Sequence, residues 1–383
     1  MTSRRSRPAG RIPEILLLRS IPLQRDSRSS KMAAAYTSRG WRVTPLIWSR
    51  GEAGENNGAI VCTAKGGYGN RFKGLAARLR WMAFMARQMM RHRHRYDVVH
   101  AVDLDTAIVA VPIGLLLRKT IVYDAFDSIG AILGGGRIAA WLIAVERAFI
   151  RASAVAIFPD PIRLEQYGIT ARGNVTIISN VPDEVAGVEA AIGDEPPATV
   201  SRPLRCVYVG TLEAQHRGLE YMAAICRALP EKVEFVVGGT GQIEPLLKAQ
   251  NDEIANLRYV GRLGYDDALD LMRSADILYG PYLLSAPAHR YASPNKLYEH
   301  LMLGKPLITN TGIPPARVIK EARSGFLFDG SLDSIVALLR DLDRDACREA
   351  GKRARACWDG FYSTLRAREL QAFFEKLYAR DAH

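Results

Sequence analysis

Long apolar runs are missing from this 383-residue sequence. Ile113 to Leu117 is typical of the longest, far short of the ~20 residues a membrane-spanning helix requires. Cysteine is scarce and dispersed. Cys62, Cys206, Cys226, Cys347 and Cys357 form no C-x-x-C pair and have no histidine at zinc-site spacing, so no metal site is expected and reduced thiols are. Neither an internal repeat nor a low-complexity tract is present, which excludes solenoid architectures. A secretory leader is not expected either: Ile15 to Leu18 is too short for its apolar core and is followed by Arg19, Arg25 and Asp26. The basic stretch over residues 1–11 reads as a disordered tail.

What is present suits a globular protein of two domains, with 48% hydrophobic and 24% charged residues. The net charge of +12 is unevenly spread. Residues 1–180 hold 27 Lys and Arg against 12 Asp and Glu, and the remainder 25 against 28, so the halves carry +15 and −3. A field of that kind suits anionic lipid headgroups, phosphate-bearing ligands or nucleic acid. Nucleic acid is disfavoured, because no aromatic–basic sheet or helix-turn-helix pattern accompanies the charge.

Strand-length apolar runs alternate with helix-length segments, which predicts parallel sheets built from βαβ units. In the first half the runs are 15–19, 43–48, 98–101, 120–124, 154–158 and 175–178. In the second they are 204–209, 233–237, 257–260, 277–279, 306–309 and 325–328. Between them the text turns acidic and rich in Ala, Gly and Pro, as a linker does. The expected division is a domain over 12–182, a linker over 183–203, a domain over 204–356 and a C-terminal helix over 357–383 that packs back on the first domain.

The most specific stretch is Ser293-Pro294-Asn295-Lys296-Leu297-Tyr298-Glu299, ahead of Gly304-Lys305-Pro306. A helix opening at Pro294 and capped by Ser293 offers unpaired backbone N–H groups and a positive dipole end, the chemistry a nucleoside diphosphate seeks. Asn295 and Lys296 fall in its first turn, and Glu299 lies one turn on, placed for a ribose diol. Alone, these residues also permit a capped surface helix whose glutamate pairs with a lysine. Two further strand-to-turn junctions point the same way. Gly210-Thr211 leads to Arg217-Gly218, with Arg217 opening a helix and suited to bidentate contact with phosphate. Gly239-Thr240-Gly241 is a second glycine turn, weak evidence by itself. All three lie at carboxyl ends of strands, the rim where doubly wound sheets bind nucleotides.

These pieces, with Asn256 to Gly261, Ala275-Asp276, Gly304-Lys305-Pro306 and Ser324-Gly-Phe-Leu, resemble the retaining glycosyltransferases of family 4, of the bacterial polysaccharide-biosynthesis type. The likeness covers most of the chain and implies the GT-B fold, an α/β architecture of two Rossmann-like doubly wound domains facing a central cleft. It implies a nucleotide-sugar donor site made by Gly210, Thr211, Arg217, Gly239, Gly241, Ser293, Pro294, Asn295, Lys296, Leu297 and Glu299, with Val260, Gly261 and Arg262 flanking the base. In the first half Asp26-Ser-Arg28, Asp97 to Thr106 and Val122 to Asp127 are similar to acceptor-domain motifs. Asp26, Arg28, Tyr68, Arg71, His100 and Asp105 are the candidate acceptor contacts. Four positions depart from the family. Tyr291 stands where the first glutamate of E-x7-E belongs, Thr211 where a basic residue often follows the glycine, and Val102 and Phe126 where histidines often occur. The departures fall on the sugar side, while the nucleotide-side motifs are kept.

A nucleotide diphosphate leaving group needs its growing negative charge stabilised. Arg217, Lys296 and the helix N-terminus could do this without metal or cofactor. The resemblance implies retention of configuration, which needs no protein base; for inversion, Asp127 and Asp103 are the candidate carboxylates. After Gly66-Gly-Tyr68-Gly-Asn-Arg71, a helix with Leu75, Leu79, Met82, Ala86 and Met89 on one side and Arg80, Arg87 and Arg91 on another suits an anionic membrane surface near a lipid-linked acceptor, or an ordinary solvated basic face. The expectation is a cytoplasmic enzyme, peripheral on the inner face of the membrane. An inactive homologue kept as a binding partner and a nucleotide-sugar epimerase are the alternatives.

Overall fold

The computed structural model describes residues 12–50, 58–65, 71–128, 135–171, 173–183 and 202–381, without the side chains of 71–73, 380 and 381. The basic tail, Tyr68, the side chain of Arg71 and residues 184–201 of the expected linker lie outside this description. Contacts within the chain divide it into Met1–Ser179 with Ala367–His383, and Asn180–Arg366. The first changeover precedes the expected linker by a few residues, and the second falls ten residues into the expected C-terminal helix.

The first unit holds seven parallel strands: β1 (Glu14–Arg19), β2 (Arg42–Trp48), β3 (Ile60–Cys62), β4 (Val98–Val102), β5 (Thr120–Asp124), β6 (Val155–Phe158) and β7 (Val175–Ile177), in the order β3-β2-β1-β4-β5-β6-β7. Both faces are covered, which is why these strands read as unbroken apolar runs. Side chains alternate between the faces. Leu16, Leu18, Val99 and Ala101 enter one core, and Ile15, Val98, Val122 and Ile157 the other. On the second face α1 (Ser27–Ser38) contributes Met32, Ala35 and Tyr36, joined by Phe373, Phe374 and Leu377 from the C-terminal segment.

The first face is roofed by α2 (Arg71–Arg91), α3 (Asp103–Leu116) and α4 (Arg137–Ala152), while α5 (Arg163–Tyr167) is a short connector. The buried stripe of α2 is Ala77, Trp81, Met85 and Met89, so the expected stripe shares only Met89 with it, and Leu75 and Leu79 are each 56% exposed. Trp81 sets the phase: it is the bulkiest apolar group on the helix, and its ring stacks on Trp48 at 6.0 Å. The three-residue edge strand β3 was not among the expected strands; a run that short carries no periodicity to read.

The second unit repeats the plan with β8 (Leu204–Val209), β9 (Val233–Gly238), β10 (Leu257–Gly261), β11 (Ile277–Tyr279), β12 (Leu307–Asn310) and β13 (Gly325–Phe328), ordered β10-β9-β8-β11-β12-β13. Its helices are α6 (Met222–Ala228), α7 (Glu244–Glu253), α8 (Tyr265–Arg273), α9 (Asn295–Leu303), α10 (Pro314–Ala322), α11 (Leu332–Asp341) and α12 (Arg344–Cys357). Strand order reverses direction between β8 and β11, the position where ligands enter such sheets at the strands' carboxyl ends. Leu297, Tyr298, Leu301 and Met302 anchor α9 in the core, and Gly304 ends it in the left-handed conformation at φ 62°.

Candidate nucleotide-sugar site

A pocket of about 310 Å³ opens within the second unit at this switch point. Gly210, Thr211 and Arg217 reach it from the loop after β8, Asn295, Lys296 and Glu299 from α9. The helix delivers the last three because Glu299 follows Lys296 by three residues and Asn295 by four, about one turn along the same side.

Arg217 donates to Glu213 Oε1 at 2.9 Å, and its guanidinium lies 4.2 Å from the ring centre of Tyr282. Burial would lower its pKa, but Tyr282 and Glu213 outweigh that and raise it, so the group stays cationic. Lys296 is buried, donates to the Tyr279 carbonyl at 3.0 Å and lies 3.7 Å from the ring centre of Tyr208. Burial pushes its pKa down to about 7; Arg217 adds to this and Glu299 opposes it. The side chain passes over Gly280, where a Cβ would come within 2.8 Å of Lys296 Cδ. A dianionic diphosphate in this pocket would restore the ammonium.

Several expected donor residues are placed differently. Asn295 begins α9, with Pro294 extended as its cap residue and no side-chain cap hydrogen bond. Pro294, not Ser293, holds the cap position; Ser293 lies one residue before it, and its carbonyl accepts from Asn180 Nδ2 at 2.8 Å. Leu297 is a core residue, 4% exposed. Arg217 does not open a helix. It precedes Gly218, at φ 69°, and a 3-10 turn over Leu219–Tyr221, with α6 following. Gly239 and Gly241 stand behind the pocket wall. A Cβ on Gly239 would meet the Gly210 carbonyl oxygen at 1.9 Å and one on Gly241 that of Leu212 at 2.4 Å, so these glycines let one loop pack on the other. Val260, Gly261 and Arg262, at and beyond the end of β10, are not among the lining residues.

Sequence reasoning missed the aromatic lining of Tyr208, Tyr265 and Tyr282. Tyr265, Ala268 and Met272 share one face of α8, a spacing that could have signalled them. Tyr265 has its phenol pushed up to about 12 by burial and by Glu299 and Asp183.

The first unit's candidates at the carboxyl end of its sheet are largely turned on one another. Arg19 pairs with Asp26 and Asp103, each at 2.5 Å. Asp26 caps α1, accepting from the backbone N–H of Arg28 and Ser29 at 3.1 and 3.2 Å. Arg28 binds Asp124 Oδ1 at 3.0 Å and the Ile178 carbonyl. His100, fully buried, holds Tyr36 through Nδ1 at 2.9 Å and lies 3.5 Å from Asp124 Oδ2. Burial would raise the Asp124 pKa, yet Arg28 and His100 bring it below the usual value. Asp103 adopts a left-handed φ of 61° and accepts from the N–H groups of Phe126 and Asp127 at 2.9 and 3.2 Å. Its carboxyl is pushed up to about 7 by burial, against Arg19 and with Asp105 and Asp127. That geometry makes Asp103 a brace for the loop bearing Asp127. Asp105 is half-buried, with Oδ1 enclosed and unpartnered. Asp127 is exposed and paired with Arg163 at 2.9 Å. Among the described residues no three His, Cys, Asp or Glu are grouped so as to hold a metal ion, and no helix is long and apolar enough to cross a membrane.

Solved structures share this architecture over nearly the whole chain. Sucrose-phosphate synthase from Thermosynechococcus elongatus superposes with a TM-score of 0.70 at 14% identity, covering 96% of this chain and 100% of that one. Anabaena HepE, solved in complex with UDP and glucose, gives 0.68 at 14% identity, covering 96% and 100%. WaaG, a glycosyltransferase involved in lipopolysaccharide biosynthesis, gives 0.62 at 16% identity, covering 94% and 99%. The chain shares with these proteins the GT-B fold of two Rossmann-like units. Residues 203–345 match the family model described as Glycosyl transferases group 1, so the second unit carries that domain. No curated protein matches the chain.

Proposed function

We propose that the protein transfers a sugar from a nucleotide-sugar donor, a UDP-sugar in preference to a GDP-sugar, to a lipid-linked or polysaccharide acceptor, with retention and without metal. The convergence of Arg217, Lys296, Asn295 and Glu299 on one pocket carries this reading. Arg217 and Lys296 take the two phosphates, Glu299 the ribose, and both cations neutralise charge as the diphosphate departs. The complex of HepE with UDP supports UDP as the nucleotide. In a retaining transfer the donor phosphate itself can take the acceptor's proton, so no carboxylate of the first unit need act as base. The acceptor belongs to the first unit, near Asp105 and Asp127.

We place the enzyme at the cytoplasmic face of an anionic membrane. Helix α2 contains no Asp or Glu and exposes Leu75, Leu79 and Met90 beside Arg78, Arg80 and Arg87. Helix α4, in the same layer, exposes Ile138 and Trp141 next to Arg137. Apolar groups flanked by arginine suit an interface between headgroups and acyl chains. The test is release of UDP from UDP-sugars, with acceptor lipid presented in anionic or zwitterionic vesicles. Release should require acceptor and be faster on anionic vesicles; release indifferent to acceptor would overturn the transferase reading.

A further inference from the structure

The nucleoside and the sugar leave a diphosphate in opposite directions, so the pocket has two ends. With Glu299 at the ribose as proposed above, Tyr265, which its charge reaches, shares the nucleoside end, and Arg217 with Tyr282 the other. Beyond Arg217 stands a cluster with no part in donor gripping: His216, Ser285 and His289. His216 holds a left-handed φ of 71°, an uncommon strain for a side chain of its size, and places Nδ1 2.7 Å from Ser285 Oγ. Its carbonyl accepts from the Leu283 N–H at 2.9 Å, fastening the two loops together. His289 Nδ1 lies 2.9 Å from the Leu283 carbonyl oxygen. The His289 ring meets Tyr282 edge-on at 5.2 Å, and the two histidine rings are 6.4 Å apart.

A carbonyl can only accept, so Nδ1 of His289 carries a proton and the uncharged ring keeps its lone pair on Nε2. The carboxylates of this end are engaged, Glu213 by Arg217 and Glu220 by the His216 N–H at 2.8 Å. Tyr291 stands where the resemblance leads one to expect a sugar-facing glutamate.

We propose that His289 Nε2 accepts a hydrogen bond from a hydroxyl of the donor sugar, taking over the work of that absent carboxylate; the proposal rests on the donor pocket assigned above. The groups acting on the ring are Arg217, His216 and Glu213 from the β8 loop, with Tyr282 edge-on from its own segment. Burial lowers the His289 pKa and Arg217 and His216 lower it further, against the Leu283 hydrogen bond and Glu213, so the accepting form holds at neutral pH.

The experiment is calorimetric titration of the full chain with UDP and with whichever of UDP-glucose, UDP-galactose and UDP-N-acetylglucosamine binds most tightly. It compares the wild type, His289→Phe and His289→Gln. UDP affinity should be the same in all three. The UDP-sugar should bind roughly 5- to 10-fold more weakly to His289→Phe, the worth of one hydrogen bond. His289→Gln, whose amide oxygen still accepts, should recover most of the loss. Equal UDP-sugar affinity in His289→Phe and wild type, or equal weakening of UDP and UDP-sugar, overturns the proposal. Absence of UDP binding by the wild type would instead remove the donor pocket itself.

Discussion

At the carboxyl end of the first sheet Arg19, Arg28 and His100 each face a carboxylate of their own unit, whereas at the same end of the second sheet Arg217 and Lys296 border a pocket of about 310 Å³. The two sheets follow one strand order, so topology does not make the difference. It lies in how directly the carboxylates of each rim meet its cations. The first provides Asp26, Asp103 and Asp124 to its cations and closes on itself. The second pairs Glu213 with Arg217 and sets Glu299 near enough to Lys296 to favour its charge, but Lys296 itself donates to a carbonyl and lies over an aromatic face. A closed rim fixes backbone, and a cation held on a carbonyl beside an open pocket is prepared to take an anion.

The largest effect should come from opening the closed rim. Asp124 is fully buried between Arg28 and His100, and its loss breaks the buried ion pair with Arg28. Asp124→Ala should cost about 3–5 kcal/mol, measured by urea unfolding. If the loss were below about 1 kcal/mol, the first unit's rim would not be the structural clasp described here.

Next in size is the open rim. Arg217→Ala should weaken UDP binding roughly 10- to 100-fold, as the removal of charge-assisted phosphate hydrogen bonds does. Its urea midpoint should fall less than that of Asp124→Ala, because its ion partner Glu213 is half-exposed and the Tyr282 ring over which it lies carries no charge to be left unpaired. A stability loss equal to that of Asp124→Ala would erase the contrast between the rims.

How far the sequence reveals this contrast depends on what each residue's role leaves in the chain. The strands are legible because sheets covered on both faces need uninterrupted apolar runs, as at Leu204 to Val209. The α9 motif is legible because its proline and Lys296-to-Glu299 spacing set local geometry. By contrast, Asp26, Arg28 and His100 look like ligand-seeking residues in text, and only tertiary pairing shows them spent on one another. Asp103 reads as catalytic, yet its carboxylate accepts from the N–H groups of Phe126 and Asp127, partners 23 and 24 residues away. The glycines at 239 and 241 read as ligand cradles, but steric closeness to Gly210 and Leu212 explains them. Tyr208 and Tyr282 gain their place through Lys296 and Arg217 stacking on their faces, pairings with no sequence spacing to betray them.

The smallest effect tests the open rim most directly, since it reads the proton on Lys296. Burial disfavours the ammonium and pushes this group's pKa from its usual 10.5 down to about 7. Between those values the folded chain holds fewer protons than the unfolded one, so without nucleotide this lysine makes stability rise with pH across that window. A bound diphosphate favours the charged form and raises the pKa, so binding above pH 7 must draw a proton from solvent. Calorimetry at pH 8 in buffers of different ionisation enthalpy should therefore show uptake of up to about one proton per UDP, with affinity falling less than tenfold per pH unit. At pH 6 the lysine is already charged and its share of the uptake vanishes. Lys296→Met removes that share at every pH, which separates it from ionisation of the terminal phosphate of UDP. Identical uptake by wild type and Lys296→Met at pH 8 would mean the ammonium is present before the nucleotide arrives, and the second rim would then hold its charge as permanently as the first.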